Sequence, residues 1–479
     1  MTTTTRKTPT SRLRFGTARA DITPPVGIYH RMWGAASHDK AAGVHRPLFA
    51  DALALLPSGG DGPGLLRLLI DLVGLGKNEL DALTQTAADA SGIPVENVVV
   101  TFSHTHSAGW MTPDRIPLPG GDLIPGYLAD LNAAVARISR EAVEKAQDAL
   151  ISYAAGRCGM AANRDCWDDE AGIFVCGYNQ ATPADDTLLV GRVTGADGKL
   201  LAILVNYACH PTTLAWENQL ISPDYVGALR ETVEEATGAV CLFLLGACGE
   251  LGPTHGFVGD PAVADRNGRE VAYAALSALS SLGPPAADFA YSGPVVSGAT
   301  LGAWAFASQD DAHIAESRQM SGGGFAVHLP TRAAPDPVAL SADLEDWETR
   351  WQEALDAGKS RDAAEARAMA ERARRWLTRL HHIPASGTAP FHYAVWRLGD
   401  ALWVTCGGEP YSLLQTELRR RFPDETIFVS PLSGDMHLAY LLPRDRYGLG
   451  LYQEEPSILA PGCLEALIDA IAERIQTLR

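Results

Sequence analysis

The sequence predicts an α/β fold in which mixed β-sheets are flanked by helices within one large domain. Apolar runs of strand length alternate with helical patterns along the chain, and glycine and proline are spread throughout instead of forming one linker. The chain has 479 residues, of which 46% are hydrophobic and 20% charged, so a full-sized core is assured. We expect one body over residues 15–479, preceded by a disordered arm over residues 1–14.

Five apolar runs are predicted to form central strands buried on both faces, because most are rich in Val, Ile and Leu. They are residues 65–69, 97–101, 200–207, 240–245 and 401–405. Helical patterns over residues 127–150 and 265–279 lie between them. Residues 391–405 predict a hairpin that turns at Gly399 and Asp400.

Residues 336–383 differ from the rest and predict a pair of helices inserted into the domain. Apolar residues recur every three or four positions from Leu340, and this first helix is expected to stop at Gly358. A second helix, rich in Ala, Glu and Arg, is expected from Ser360 to just before Pro384. Such an excursion either packs on the surface of the body or forms a lid over a site.

The charge and composition of the chain argue against several classes of partner. Lys and Arg number 39 against 57 Asp and Glu, and the net charge of −18 opposes binding to nucleic acid and to anionic lipid surfaces. No run approaches the roughly 18 to 20 apolar residues of a membrane span, and no apolar stretch of a signal peptide follows the first basic residues. Eight cysteines without a CxxC pair suit a reducing compartment. We therefore expect a cytoplasmic protein without stable membrane association.

Histidines follow two of the predicted strands. His104 and His106 come directly after one apolar run, and His210 comes after another. Alternate residues of an extended segment share a face, so His104 and His106 should point together at the edge where open α/β sheets usually hold ligands. Glu409 follows a third strand and two glycines. Zinc accepts histidine nitrogen and carboxylate oxygen, so the pattern indicates a metal site.

Seven short motifs occur in order along most of the chain. They are residues 20–27 (ADITPPVG), 46–48 (RPL), 103–107 (SHTHS), 206–211 (NYACHP), 222–227 (SPDYVG), 249–253 (GELGP) and 408–410 (GEP). Each motif is weak alone. As a series they resemble the N-terminal zinc hydrolase domain of the neutral/alkaline, non-lysosomal ceramidase family.

The resemblance implies one zinc ion per chain, with His104, His210, Glu409 and Tyr440 as its ligands. Tyr440 lies in a segment, AYLLPR, that is similar to the GYVTT-type segment of the family. Twelve residues later, Tyr452 occupies the place of the tyrosine that stabilises the developing oxyanion in the family. Only the resemblance singles out these two tyrosines, since most tyrosines are packing residues.

Two further residues are assigned to catalysis. Arg164, in Asn-Arg-Asp, is similar to the active-site arginine of the family, although a surface arginine is the alternative. His106 is placed to take a proton from water as general base and return it to the leaving amine. Zinc would lower the pKa of water to about 7 and polarise the carbonyl. Asp224 is either a partner that orients a histidine or the N-cap of a following helix.

Departures from the family pattern bear on the substrate. Gly252 stands where ceramide-cleaving members carry a serine in a GDxSP-type loop. Only 27 residues follow Tyr452, so the immunoglobulin-like C-terminal domain of the family is not expected. We therefore expect a zinc-dependent amidohydrolase that cleaves a linear N-acyl bond in a small soluble substrate.

Several alternatives stay open at this point. An ester or lactone would react by the same chemistry, and ceramide itself is a further candidate. An HxH site of the amidohydrolase-barrel type is disfavoured because about 100 residues precede the motif. A binuclear lactamase-like site would need Asp and His where Ala108 and Gly109 stand. A non-catalytic metal-binding protein is less favoured, because His106 and Tyr452 are present beside the ligands.

Overall fold

The computed structural model describes residues 5–59, 62–381, 383–434 and 439–478. Its strands are β1 (Thr5–Arg6), β2 (Thr10–Asp21), β3 (Gly43–Val44), β4 (Phe49–Pro57), β5 (Leu65–Ile70), β6 (Val98–Phe102), β7 (Gln147–Arg157), β8 (Ala161–Asn163), β9 (Asp165–Asp168), β10 (Ile173–Cys176), β11 (Thr187–Gly195), β12 (Leu200–Tyr207), β13 (Leu220–Ile221), β14 (Val240–Leu245), β15 (Leu251–Pro253), β16 (Ala287–Ser297), β17 (Ala299–Ser308), β18 (Met320–Pro330), β19 (Thr388–Leu398), β20 (Ala401–Cys406), β21 (Glu409–Pro410), β22 (Thr426–Val429) and β23 (Tyr440–Leu441). Its α-helices are α1 (Lys77–Ser91), α2 (Ile124–Glu144), α3 (Tyr225–Thr237), α4 (Pro261–Ser280), α5 (Asp311–Glu316), α6 (Pro337–Asp356), α7 (Ser360–Leu380), α8 (Leu413–Arg421) and α9 (Cys463–Thr477).

Two mixed β-sheets form the centre of the fold. The larger has the strand order β14-β12-β11-β7-β2-β4-β5-β6, and the smaller has the order β18-β19-β20-β22. In the larger sheet β12 and β14 are parallel, as are β5 and β6, whereas the other neighbours are antiparallel. In the smaller sheet only β20 and β22 are parallel. The predicted α/β class with mixed sheets is confirmed.

The alternation of side chains along the strands explains how the layers stack. Leu66 and Leu68 of β5 pack with α1 and α2, whereas Leu65 and Leu69 share a core cluster with Trp403 of the smaller sheet. Helices α3 and α4 pack on β11, β12 and β14 of the larger sheet, and α8 and α9 cover the outer face of the smaller one. The strands are apolar throughout because both faces are buried.

The five predicted strands correspond to β5, β6, β12, β14 and β20, and β19 pairs with β20 in the predicted hairpin. The helix expected over residues 127–150 is shorter, because α2 ends at Glu144 and β7 begins at Gln147. β7 pairs with β11 on one side and with β2 on the other. Backbone hydrogen bonding within the sheet therefore outweighs the helical propensity of its alanines.

The expectation of a disordered arm is wrong for residues 5–14, whereas residues 1–4 lie outside the described part of the chain. β1 pairs with β16, and β2 lies between β7 and β4 inside the larger sheet. Leu13 and Phe15 are buried in the core, while the Nη2 atom of Arg12 donates to Gln309 at 2.6 Å. The basic residues of this segment thus alternate with core residues and do not mark a solvated arm.

Helices α6 and α7 are the predicted helical pair, and Gly358 between them has a left-handed backbone with φ of 66°. Two ion pairs fasten α7 to the body, one between Arg31 and Glu371 and one between Arg367 and Asp39. α6 packs on α7 and is mostly exposed. The inner helix of the pair is therefore α7.

In the described part of the chain, no helix combines the length and the apolar character that a bilayer crossing requires. All eight cysteines are free thiols, and six of them are buried. The six buried cysteines therefore serve as small packing residues, and the eight thiols form no disulfide framework.

Candidate active site

Side chains that follow three strands meet in one place. His104 and His106 follow β6, His210 follows β12, and Glu409 opens β21 just after β20. β6 and β12 lie near opposite edges of the larger sheet, but contacts between β5 and β14 show that the sheet curls until these edges approach. The backbone N–H of His106 donates to the carbonyl of Pro211 at 3.4 Å, which joins the two histidine loops directly.

His104 does not have the extended backbone that the sequence predicts. β6 ends at Phe102, and His104 has a φ of 65°, a conformation that is uncommon for residues other than glycine. Its backbone N–H donates to Leu72 at 3.0 Å, and its Nδ1 donates to Val73 at 2.6 Å. The Nε2 atoms of His104 and His106 lie 3.4 Å apart. The two rings therefore converge through a turn and not through strand alternation.

Backbone carbonyls fix the tautomers of two histidines. Nδ1 of His104 bonds to the carbonyl of Val73 and Nδ1 of His210 to that of Cys248, each at 2.6 Å. A carbonyl oxygen only accepts, so Nδ1 of each ring carries a proton and Nε2 is the nitrogen left to bind a metal ion. These Nε2 atoms face Oε2 of Glu409, at 3.3 Å from His104 and 2.9 Å from His210. Two imidazole nitrogens and a carboxylate oxygen around one point form a donor set suited to zinc.

Burial disfavours the protonated forms of His106 and His210. Burial, assisted by the charge of Arg164, lowers the pKa of His210 to about 4. Burial also lowers the pKa of His106 well below its ordinary value, and the neighbouring histidines add to the effect. Burial opposes ionisation of Glu409, but the contacts with His104 and His210 outweigh it and lower the pKa of that carboxyl group. At neutral pH His106 and His210 are therefore neutral imidazoles, and Glu409 is a carboxylate.

Tyr440 lies in the same cluster. β23 runs parallel to β21 with Tyr440 opposite Glu409, and the Tyr440 ring stacks on His210 with centroids 6.3 Å apart. Burial, and then the charge of Glu409, raise the pKa of the Tyr440 hydroxyl well above its ordinary value. A second donor set overlaps this one, because ring nitrogens of His104, His106 and His210 lie within 4.8 Å of one another. The structure thus brings the four expected ligands together and adds His106 as a third imidazole.

Gly408 permits the close approach of these two short strands. Its φ is 64°, and a Cβ atom there would lie 2.6 Å from the carbonyl oxygen of Ala439. The next residue, Glu409, donates its backbone N–H to the same carbonyl at 2.8 Å. Any side chain at position 408 would push the Glu409 strand away from Tyr440.

Tyr452 and Arg164 flank Tyr440. The ring of Tyr452 stands edge-on to that of Tyr440 at 6.0 Å and is 54% exposed. Arg164 is buried and interacts with the Tyr440 hydroxyl, and its Nη2 donates to the carbonyl of Gly249 at 2.7 Å. Its Nε has no partner among the described residues. Arg164 is therefore not a surface residue, and both side chains contact Tyr440 of the cluster.

Gly252 leaves room for the side chain of Arg164. A Cβ atom at position 252 would lie 2.7 Å from Cδ and 3.2 Å from Cγ of Arg164. These are atoms in the middle of the arginine stem, so a serine at this position would force the guanidinium to shift. The departure at Gly252 and the position of Arg164 are thus linked.

Asp224 is the N-cap of α3. Its Oδ1 accepts from the backbone of Tyr225 at 2.6 Å, and its Oδ2 accepts from that of Leu214 at 2.8 Å. The N-cap alternative is therefore confirmed. Through Leu214, Asp224 also fixes the loop that follows His210.

A cavity of about 410 Å³ opens onto the cluster. From the expected site it includes His104, His106, Glu409, Tyr440 and Tyr452. It also includes residues that sequence reasoning did not single out, among them Met32, Trp110, Arg374, Arg375 and Arg379. Trp33 packs against the ring of His106 with centroids 5.4 Å apart. No short motif marks these residues, although the three arginines lie on the predicted helical pair.

Glu250 is expected to make the free energy of unfolding depend on pH. It is buried and accepts hydrogen bonds from the backbone and hydroxyl of Ser412, and burial raises its pKa to about 7. A carboxyl group whose pKa is raised on folding binds its proton more tightly when folded, so it costs stability as pH rises from about 4.5 to 7. Relative to the wild type, Glu250→Gln is expected to gain about 2 kcal/mol of unfolding free energy between pH 5 and pH 7.5. Urea unfolding at both pH values measures this, and an unchanged difference would contradict it.

Comparison with known proteins places the fold. No family model matches the chain. Neutral ceramidase of Pseudomonas aeruginosa is 26% identical over 260 residues, which is half of this chain and 37% of that protein, so the match spans little more than a third of the relative. The crystal structure of neutral ceramidase from Pseudomonas aeruginosa superposes with a TM-score of 0.63 at 17% identity, covering 98% of this chain and 75% of that one. A ceramidase complexed with C2 gives a TM-score of 0.62 at 16% identity, with coverages of 98% and 76%. Sequence and fold together make the chain a divergent relative of neutral ceramidase, as the series of motifs predicts.

Proposed function

We propose that the protein is a zinc-dependent hydrolase that cleaves a linear N-acyl amide bond in a small soluble substrate. The observation that carries the proposal is the convergence of two Nε2 atoms, from His104 and His210, on the carboxylate of Glu409 beside a cavity. The relation to neutral ceramidase supports the amide class. The cytoplasmic location stays a prediction.

One zinc ion per chain would be held by His104, His210, Glu409 and Tyr440. When bound, zinc polarises the scissile carbonyl and lowers the pKa of water to about 7. The hydrogen bonds from Nδ1 to backbone carbonyls hold both histidine rings in the orientation that such a site needs. These residues fit a zinc ion because imidazole nitrogen and carboxylate oxygen are among the ligands that zinc binds.

His106 would act as the general base and acid. Its Nε2 faces the cluster, 3.4 Å from Nε2 of His104, and Trp33 packs against its ring. From this position Nε2 would accept a proton from the attacking water and return it to the leaving nitrogen. The amide bond then breaks with the amine leaving in neutral form.

Tyr452 and Arg164 would stabilise the negative charge that develops on the carbonyl oxygen. Tyr452 lines the cavity, and Arg164, whose Nε has no partner among the described residues, interacts with Tyr440. A preorganised donor of this kind contributes roughly 3 to 4 kcal/mol in other enzymes. Esters and lactones would meet the same groups with a better leaving group, so they are the second candidate class. Ceramide is the third candidate, supported by the relative alone.

Short soluble N-acyl amides are expected to be cleaved with at least a tenfold higher kcat/KM than a long-chain ceramide. Two features underlie this expectation. The stem of Arg164 fills the space beside Gly252, the position at which ceramide-cleaving members of the family carry a serine, and α7 forms part of the cavity wall. The measurement compares both substrates in the same detergent, with a short-chain ester of the same acyl group as a control for leaving-group effects. A tenfold preference for ceramide would contradict the proposed substrate class.

A further inference from the structure

Helix α7 gives the cavity a positively charged wall. Three of its arginines, Arg374, Arg375 and Arg379, are in the lining. The helix carries six arginines against three acidic residues, in a chain whose net charge is −18. Positive charge is therefore concentrated at the cavity against the trend of the whole chain.

The three arginines differ in how well their charges are neutralised. Arg374 pairs with Glu348 of α6 at 2.5 Å. Arg375 approaches Glu371 only at 3.9 Å, and Glu371 already pairs with the buried Arg31. Arg374 is thus neutralised by its own helical pair, whereas Arg375 is left with a distant and shared partner.

Arg379 lies one turn further along the same face as Arg375. Among the described residues no carboxylate lies within 4 Å of its guanidinium, which sits 5.6 Å from the ring centroid of Trp376. Glu455 attracts Arg379 from further away, but its carboxylate already accepts hydrogen bonds from Arg372 and Trp376 at 2.7 Å. Arg375 and Arg379 therefore place two positive charges four residues apart at the cavity without a close counter-ion. Their mutual repulsion costs free energy unless an anion binds between them.

The charges on the rest of the lining do not supply that anion. Lys77 pairs with Asp81 at 2.6 Å, and Asp114 pairs with Arg115 at 3.3 Å. Glu79 also lines the cavity, but it lies on α1 and makes no ion pair with α7 among the described residues. Glu409 also lines the cavity and attracts Arg379, but its carboxylate already pairs with His104 and His210. The positive charge of the cavity that lacks a close counter-ion is accordingly that of Arg375 and Arg379.

We propose that Arg375 and Arg379 bind a carboxylate of the substrate, so that the substrate is an anionic N-acyl amide. The inference rests on the proposed function, because it names the substrate class of the same site. Guanidinium groups form short, charge-assisted and often bidentate hydrogen bonds with carboxylates. The backbone carbonyl of Met32 accepts from Nη2 of Arg375 at 3.3 Å, which holds this arginine at the cavity. A substrate bound in this way is held by α7 while its amide lies at the histidine cluster.

Matched substrates test the inference on both sides of the amide. N-octanoylglycine is compared with N-octanoylglycinamide, and the mono-octylamide of succinic acid with the octylamide of butyric acid. In at least one pair the carboxylate compound is expected to have a kcat/KM at least tenfold higher than its neutral counterpart. The Arg375→Gln/Arg379→Gln double variant should lose about thirtyfold with that compound and less than threefold with the neutral one.

The control variant is Arg350→Gln, which removes an exposed arginine of α6 that pairs with Asp346 at 2.8 Å. It should leave both substrates unaffected. A wild-type preference for the neutral compounds, or an equal loss of both substrates in the double variant, overturns the inference. If the wild type cleaves none of the four compounds, the proposed function fails. Binding of N-octanoylglycine and of the succinic monoamide is then measured by calorimetry. Binding to the wild type that the double variant loses supports the inference. Absence of binding to the wild type overturns it.

Discussion

Replacing His104 or His210 with alanine is expected to abolish the proposed zinc binding and to reduce hydrolysis on the order of a thousandfold. Each residue supplies one Nε2 lone pair at the point where Glu409 also lies, and each ring is held by a backbone carbonyl. With one imidazole gone, the remaining ligands cannot complete a tetrahedral site. Elemental analysis of the purified variants, beside a turnover assay, measures both effects.

The control for this experiment is His328→Ala, because His328 is an exposed histidine on β18. It should keep one zinc ion per chain and full activity. The His104→Ala/His210→Ala double variant provides the sharpest contrast, since it lacks both lone pairs. One equivalent of zinc in that double variant would show that the metal is held elsewhere.

Replacing His106 with alanine is expected to preserve the zinc and to lower turnover at least a hundredfold, about the smallest effect of removing a general base. In the four-ligand arrangement with Tyr440, His106 faces the metal site without being a ligand. A shift in the acidic limb of the pH profile should accompany the loss. Metal content and turnover are measured on the same preparation.

The alternative donor set makes a different prediction for the same variant. If His104, His106 and His210 together hold the metal, as the 4.8 Å grouping of their ring nitrogens allows, His106→Ala would lose zinc as fully as His104→Ala. Tyr440→Phe is the matched counterpart, because it removes one hydroxyl and retains the ring that stacks on His210. Retention of zinc by Tyr440→Phe together with its loss in His106→Ala would replace the four-ligand assignment.

The sequence predicts the central strands well because these strands are buried on both faces. β5 and β20 have no exposed face, so their composition alone distinguishes them from the amphipathic helices. β2 was harder to predict, because Arg12 and Arg14 alternate with Leu13 and Phe15 and make the segment look solvated. The burial of Leu13 and Phe15 depends on strands that are distant in sequence, and the local pattern does not indicate those strands.

Some residues of the candidate site can be predicted from the sequence alone, and others cannot. His104, His106 and His210 can be found from the sequence because each follows an apolar run. Tyr440 and Tyr452 carry no local signal, and only the family resemblance identifies them. The left-handed backbone of His104 depends on the carbonyls beyond β5 and was not predictable from strand alternation.

The arginines of α7 that line the cavity cannot be identified from the sequence of the helix alone. The sequence predicts α7 and its wealth of arginine, but not which arginines face the site. That depends on ion pairs formed across the fold, such as the one between Arg31 and Glu371. Trp33, which packs against His106, lies in the segment between β2 and β3, outside the strands and helices.

The most direct test of the central claim is a zinc titration of the metal-free protein. Protein stripped with a chelator is supplied with zinc in fractional equivalents, and the release of amine from a short N-acyl amide is followed at each step. We predict that the rate rises linearly to one equivalent per chain and then stays constant, with the stripped protein inactive. Hydrolysis that survives complete removal of the metal, or a linear rise that continues to two equivalents, would contradict a single-zinc amide hydrolase.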